Sequence, residues 1–182
     1  MLRLRLTDDA ELREVVLDDI DELYAVSLTN QEHLRPWMPW AADIRREHTA
    51  RYVESALIQR ERNDGTQFAL TVGGVIAGAF GYHRIDWTNR LTTIGYWIAE
   101  RHQGRGLATA AVRAMCDHAF EAWELHRVEI DPEPGNARSR AIPERLGFTQ
   151  EGVRRDGERF GDEYRDLLVY SLLATDERPE LG

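Results

Sequence analysis

Cysteine is nearly absent from this chain of 182 residues. Cys116 is the one thiol, so no internal disulfide can form, and a reducing, cytoplasmic setting follows as the expectation. No apolar run approaches the ~20 residues needed to cross a bilayer, so no membrane span is expected. The opening Met1-Leu2-Arg3-Leu4-Arg5-Leu6 alternates with period two and lacks the apolar core of a signal peptide. Positive charge is in deficit as well. The net charge of −9 argues against a phosphate-neutralising surface for nucleic acid. Repeats, low-complexity tracts and an internal linker are also missing.

What is present is an ordinary globular balance, 42% apolar and 30% charged. The length fits one domain with a real core, assigned to residues 1–174, followed by a polar tail over 175–182. Cys116 falls within a helix pattern and reads as packing.

Leu2 to Leu6 reads as a strand, and Leu12 to Val16 continues the extended segment. Asp18 is a plausible N-cap for a helix carrying Ile20, Leu23, Tyr24 and Leu28. Leu34-Arg35-Pro36-Trp37-Met38-Pro39-Trp40 is a loop by its prolines. The segment from Glu47 to Arg60 places Tyr52, Val53, Ala56 and Leu57 on one helical face. Three strands follow, Gln67 to Val72, Val75 to Arg84 and Leu91 to Ala99, joined by short connections that imply an antiparallel meander. Gly73-Gly74 is a hairpin signal. The third strand is apolar on both faces, which suits a central position. Leu107, Ala111, Met115, Ala119 and Trp123 recur every four residues as a long helix. Arg127 to Ile130 is a short strand, and a helix from Asn136 ends at Gly147. Phe148 to Arg154 and Tyr164 to Leu172 look like a final strand pair. The order is that of an α+β layer fold.

The turn Gln103-Gly104-Arg105-Gly106-Leu107-Ala108-Thr109 opens the long helix. Its glycines let the backbone come close to a ligand and take positive φ. The helix behind it aims free N–H groups and its dipole at that ligand, and Arg105 adds a mobile charge. Phosphate oxygens suit such a cradle, although a bare G-x-G is also ordinary turn chemistry. A Walker loop needs Gly-Lys-Ser/Thr after a longer glycine spacing, and none exists here. A dinucleotide fingerprint needs a small residue where Thr109 stands and an early parallel strand, and neither fits. Farther on, Asn136 as N-cap makes Ser139 the third helical residue, near the positive helix entrance. Pro143 cannot donate to the carbonyl of Ser139, so the helix should be kinked or open there. On local grounds Asn136 also reads as a plain cap and Ser139 as a first-turn filler.

The run from Ile94 to Thr109, with Gln103, Gly106 and Ala108 at the Gln/Arg-x-x-Gly-x-Gly/Ala positions, resembles the acyl-CoA signature of the GNAT superfamily of N-acetyltransferases. Asn136-x-x-Ser139, Leu146-Gly147-Phe148, Glu151-Gly152 and the Leu34–Trp40 loop resemble its RimJ/RimL-like branch, which acetylates N-terminal amines of ribosomal proteins. The motifs follow in order over nearly the whole chain.

The resemblance implies a GNAT fold with a mixed, mostly antiparallel sheet, splayed between the Leu91–Ala99 and Arg127–Ile130 strands, with the pantetheine arm of acetyl-CoA in the gap. That arm would pair with the backbone near Trp97 and Ile98, with the N–H of Ile98 on the thioester oxygen. The diphosphate would lie on the amides of residues 104–109, and Asn136 would touch the arm. Ser139 matches the position proposed to protonate the leaving thiolate. Glu158, in Asp156-Gly157-Glu158-Arg159-Phe160, matches the base, acting through water; it equally suits a surface hairpin acid. A free α-amine titrates near ~8 and a lysine near ~10.4, so an N-terminal amine demands only a modest base. Trp37 and Trp40 are candidate walls of the acceptor pocket, and Tyr82, His83 and Tyr96 are further candidates beside it. Ordinary packing is the competing reading for each. The implied activity is acetyl transfer to a protein or peptide N-terminus, without a metal. A polyamine or antibiotic amine as acceptor, or a catalytically silent acyl-CoA-binding module, are the alternatives. Dimers are common among related enzymes, so the resemblance also suggests a homodimer.

Overall fold

Alternating and doubly apolar runs assemble into one sheet because each strand can bury a face only against its neighbours and a helical layer. The computed structural model of the chain describes residues 1–179. Its eight strands are β1 (Arg3–Arg5), β2 (Ala10–Glu14), β3 (Thr66–Val72), β4 (Val75–Asp86), β5 (Leu91–Ile98), β6 (Arg127–Ile130), β7 (Thr149–Phe160) and β8 (Glu163–Leu173), in the spatial order β1-β2-β3-β4-β5-β6-β8-β7. The helices are α1 (Ile20–Thr29), α2 (Gln31–Leu34), α3 (Arg46–Glu61), α4 (Leu107–Glu121) and α5 (Ala137–Arg145). Every strand pairing is antiparallel except β5 with β6, and the short β3–β4 and β4–β5 connections make the expected antiparallel meander. This is the GNAT fold, an open mixed sheet flanked by helices.

Each face of the sheet has its own core. On one, Ala111, Val112, Met115 and Ala119 of α4 pack with Phe80, Tyr82, Ile94, Val128 and Leu172. On the other, Leu23 of α1 with Val53 and Ala56 of α3 pack on Ala69, Ile76 and Ala79. Cys116 lies in the first core. No described helix is long and apolar enough to cross a membrane. The Gly73-Gly74 turn has both φ angles positive, 59° and 81°, and closes Val72 onto Val75 as a tight hairpin.

Four expectations are corrected. Asp18 is not the cap of α1; it sits inside a 3₁₀ turn, Leu17–Asp19, and it is Asp19 that bonds, accepting Val16 N–H at 2.8 Å and both guanidinium nitrogens of Arg13. The repeat through Trp123 overshoots, because α4 ends at Glu121 and Trp123 folds back to pack on Tyr82 and His118. β5 is central in the sheet order as expected, but its second face is only half-buried, because part of it lines a cavity. Finally, β7 does not stop at Arg154. Asp156-Gly157 forms a bulge, Asp156 at φ 50° with its N–H on Asp166, and the strand continues to Phe160. Of the polar tail over 175–182, residues 180–182 lie outside the described residues.

The sheet opens in its middle. β5 and β6 pair only at Leu91–Arg127, Thr92–Val128 and Thr93–Glu129. Pro132 and Pro134 follow β6 and carry no N–H, which interrupts the ladder there. From Ile94 to Ile98, that edge of β5 is left without a strand partner.

The Arg13–Asp19 pair is bidentate, with side chains 16% and 5% exposed. Breaking such a pair strands a charge in a poorly solvated place, so Asp19→Ala is expected to lower stability by about 3 kcal/mol. Urea unfolding of the two proteins measures this.

Candidate active site

The unpaired edge of β5 is the starting point. Ala99 donates its N–H to Ala77 O at 2.8 Å, on the β4 side. Alternation along the strand then turns the N–H of Ile98 to the opposite, open edge. The carbonyl of Ile98 shares that edge and accepts Gln103 Nε2 at 3.4 Å.

Gln103 is a junction. Its Oε1 accepts Arg138 of α5 at 2.7 Å, and its Nε2 lies 2.5 Å from the His33 ring of α2. The glycine turn is thereby tied to β5, α2 and the start of α5. Gly104 and Gly106 are both left-handed, φ 71° and 75°, and a β-carbon on either would meet nothing within 4 Å. The first intrahelical bond of α4 is Ala110 N–H to Gly106 O. No described residue accepts from the amides of 104–109, and Gly106 as N-cap offers no side chain. Leu107 and Thr109 turn their side chains inward, the Thr109 hydroxyl accepting Arg145 at 2.9 Å, so both present only backbone to the turn. Arg105 is half-exposed beside His102 and Asp9.

Below the gap lies a cavity of about 770 Å³. Trp37, Trp40, Trp97, Tyr96, Asn136, Ser139, His83 and Glu158 all border it, and the residues of the glycine turn do not. Trp40 and Trp97 meet at 5.9 Å between ring centroids. Tyr82 is a correction. It is fully buried on the α4 side of the sheet, with its hydroxyl on Met115 O at 2.7 Å. In β4, Tyr82 points away from the cavity, and its aromatic character is explained by the core.

Asn136 caps α5, its Oδ1 accepting the N–H of Ser139 at 3.1 Å. The carbonyl that Pro143 cannot serve is Ser139 O, and Tyr96 Oη donates to it at 3.2 Å while lying 3.3 Å from Ser139 Oγ. Burial pushes the Tyr96 hydroxyl pKa up to about 12. Tyr96 also stacks on Phe80, centroids 5.5 Å apart. Across the cavity, the bulge in β7 turns Glu158 inward opposite Arg165. Burial, reinforced by Glu133, raises the Glu158 carboxyl pKa, and Arg165 opposes the rise. Arg165 itself donates to Glu133 at 3.0 Å and to Pro36 O at 2.8 Å, with its guanidinium 3.5 Å over the Phe160 ring. That one side chain joins the Leu34–Trp40 loop, the segment after β6 and the β7–β8 hairpin.

The sequence reading missed Asp131, Tyr52 and Arg154, which also border the cavity. Asp131 had a signal, since it stands where a strand pattern meets two prolines. The other two had none, because their places depend on how α3 and β7 dock. Among the described residues, no group of three or more His, Cys, Asp or Glu side chains could hold a metal.

Residues 9–149 match the family described as “Acetyltransferase (GNAT) domain”. The “Putative ribosomal N-acetyltransferase YdaF” of Bacillus subtilis is 35% identical over 175 residues, 95% of this chain and 96% of that one. The ribosomal-protein-serine acetyltransferase of Escherichia coli is 27% identical over 93% of this chain and 96% of that protein. Among solved structures, the Microcin C7 self immunity acetyltransferase MccE, in complex with acetyl-CoA and AMP, superimposes with a TM-score of 0.87 at 25% identity, covering 92% of this chain and 94% of its own. The chain belongs to the GNAT family of acetyltransferases, and it is an enzyme of the N-acetyltransferase class.

Tyr96→Phe leaves the Ser139 carbonyl without that donor. A loss of about 1–2 kcal/mol in stability is expected, measured by urea or thermal unfolding.

Proposed function

We propose that this enzyme moves an acetyl group from acetyl-CoA to a primary amine, and that the acceptor is the α-amine at a protein N-terminus, of the ribosomal-protein kind. The observation that carries the proposal is the open edge of β5, running between a glycine turn with free amides and a cavity that holds Ser139 and Glu158. The residues fit acetyl-CoA. Space stands open where the β-carbons of Gly104 and Gly106 would be, and unpartnered amides of a helix start suit a diphosphate. When bound, acetyl-CoA supplies an activated thioester carbonyl. The open-edge N–H of Ile98 holds negative charge on its oxygen. Asn136, with its oxygen engaged in capping, keeps its amide N–H₂ for the pantetheine arm.

Ser139 holds a proton for the departing sulfur, backed by Tyr96 at 3.3 Å. Glu158 serves the amine as base, through water. Its raised pKa matches a modest demand: an α-amine near ~8 gives up a proton far more readily than a lysine near ~10.4. Trp37, Trp40 and Trp97 form the aromatic wall for the acceptor chain. A cytoplasmic enzyme acting on newly made protein, as a homodimer, accords with this reading. A small-molecule amine is the second reading, favoured by the likeness to MccE over 92% of the chain.

Thiol release from acetyl-CoA is the assay. An N-terminal peptide should turn over faster than polyamines or amine antibiotics; the reverse order makes the small-amine reading the correct one. CoA binding without turnover on any amine would mean a silent module. Ser139→Ala should lower turnover about 100-fold with acetyl-CoA affinity unchanged. Gly106→Val strains a left-handed position and fills the cradle, so calorimetry should show acetyl-CoA binding weakened at least tenfold. Glu158 must be ionised to act, so the rate should fall as pH drops through its raised pKa, above the ordinary glutamate range. Glu158→Gln should cost about 100-fold.

A further inference from the structure

Two groups in the cavity have no part in this account. Asp131 stands where β6 leaves the sheet. Its Oδ2 accepts Arg154 at 2.8 Å. Its Oδ1 is buried and has no hydrogen-bond partner. A buried carboxylate oxygen left unpaired is unfavourable, and in a cavity it marks a place where a donor arrives. The second group is His83. Between Tyr82 and Ile85 the pairing of β4 with β5 slips out of register. Such an irregularity re-aims a side chain. The imidazole lies over Gly95 of β5, where any β-carbon would overlap the ring, so only glycine at that position admits it. His83 and Asp131 border the same cavity, and each lies within the other's field. The outer side of His83 is exposed, which gives a proton a path to water.

One carboxylate acting through water has two protons to clear from the acceptor nitrogen, and such a pair would share that work. The acceptor arrives as an ammonium, and its nitrogen must lose two protons to become an amide. One ends on the sulfur, and the other must reach solvent. We propose that His83 takes the first proton from the acceptor ammonium before attack, and that Asp131, in the same cavity, acts through it as a positioning residue whose charge offsets the one the imidazole gains. This rests on the acetyl-transfer reading above. In the step, an ammonium N–H bond breaks and its electron pair stays on nitrogen as the attacking lone pair. The proton moves to an imidazole nitrogen and leaves through the exposed mouth. Nitrogen then bonds to carbon as the carbon–sulfur bond breaks. Glu158 receives the second proton and passes it through water to Ser139, whose own hydroxyl proton has gone to the sulfur, so one nitrogen proton ends on the thiol and the hydroxyl is restored.

Burial pulls the His83 imidazole below its usual pKa, with Asp131 pulling the other way, so the ring is neutral and ready to accept near pH 7. The other charged or titratable groups bordering the cavity are Asp43 and Arg45 before α3, His48 and Tyr52 on α3, Arg84 on β4, Tyr96 on β5, and Arg154 and Glu158 on β7. Glu133 lies on the segment after β6. The rate should therefore fall as pH drops through the lowered imidazole pKa.

The test uses the full chain, acetyl-CoA and an N-terminal peptide. His83→Ala should lower kcat/KM at least tenfold, and added imidazole should restore part of it. Asp131→Asn should lower the rate less, and Asp131→Glu should recover it. In NMR titration of the ligand-free protein, Asp131→Asn should lower the His83 pKa further, since a raising charge is lost. A wild-type rate in His83→Ala, or a loss that imidazole does not rescue, overturns the proposal. His83→Gln replaces the alanine variant if that one does not fold. If the wild type acetylates no α-amine, the acceptor reading fails instead. The NMR titration then decides the pair, and an unmoved His83 pKa overturns it.

Discussion

The end of one hydrogen-bond ladder governs this molecule. β5 and β6 are paired for three residues and then part, where the chain after Ile130 runs into two prolines that carry no N–H. A buried strand edge without partners is costly, and proteins normally cover it. Here the edge faces a gap that the glycine turn, α5 and the β7–β8 hairpin surround. The proposed chemistry makes use of that opening. It presents backbone donors in a fixed direction, with the donor end of a helix at one side and a polar cavity below.

A gap in a sheet must be held open by something other than the sheet. Three side chains do this. Gln103 binds the glycine turn to β5, α2 and α5. Tyr96 reaches across from β5 to the carbonyl of Ser139, which the proline in α5 leaves unserved. Arg165 joins the hairpin to the tryptophan loop and the segment after β6. Gln103 and Tyr96 each serve a carbonyl that a backbone N–H would serve in regular structure. Each also sits beside a group to which a chemical role is assigned, so stability and function share the same contacts.

Much of the fold was legible along the chain. Gly73-Gly74, the cap at Asn136, the C-terminal glycine at 147 and the left-handed glycines at 104 and 106 act within a few residues of themselves, and local patterns report such effects well. The errors have one kind of cause. Asp18 and Asp19 look alike in the sequence, and the turn to Val16 together with Arg13, delivered by β2, chooses between them. Asp156-Gly157 suits a loop or a bulge, and pairing with β8 makes it a bulge. Tyr82 and His83 are adjacent, yet one is in the core and the other borders the cavity. The slip in register past Tyr82 separates them, and it is a property of two strands together.

By itself, the sequence determined the family, the order of elements and the residues proposed for acyl chemistry. These depend on spacing along the chain, where glycine, proline, asparagine and serine have strong local preferences. Only the tertiary structure decided which of those residues share a cavity, and that Asp131 and His83 belong there while Tyr82 does not. The reason is distance. Groups from β4, β6, α5 and β7 meet only when the sheet has closed around its gap, and burial, which shifts the acidity of Tyr96, Glu158 and His83, exists only after that closure.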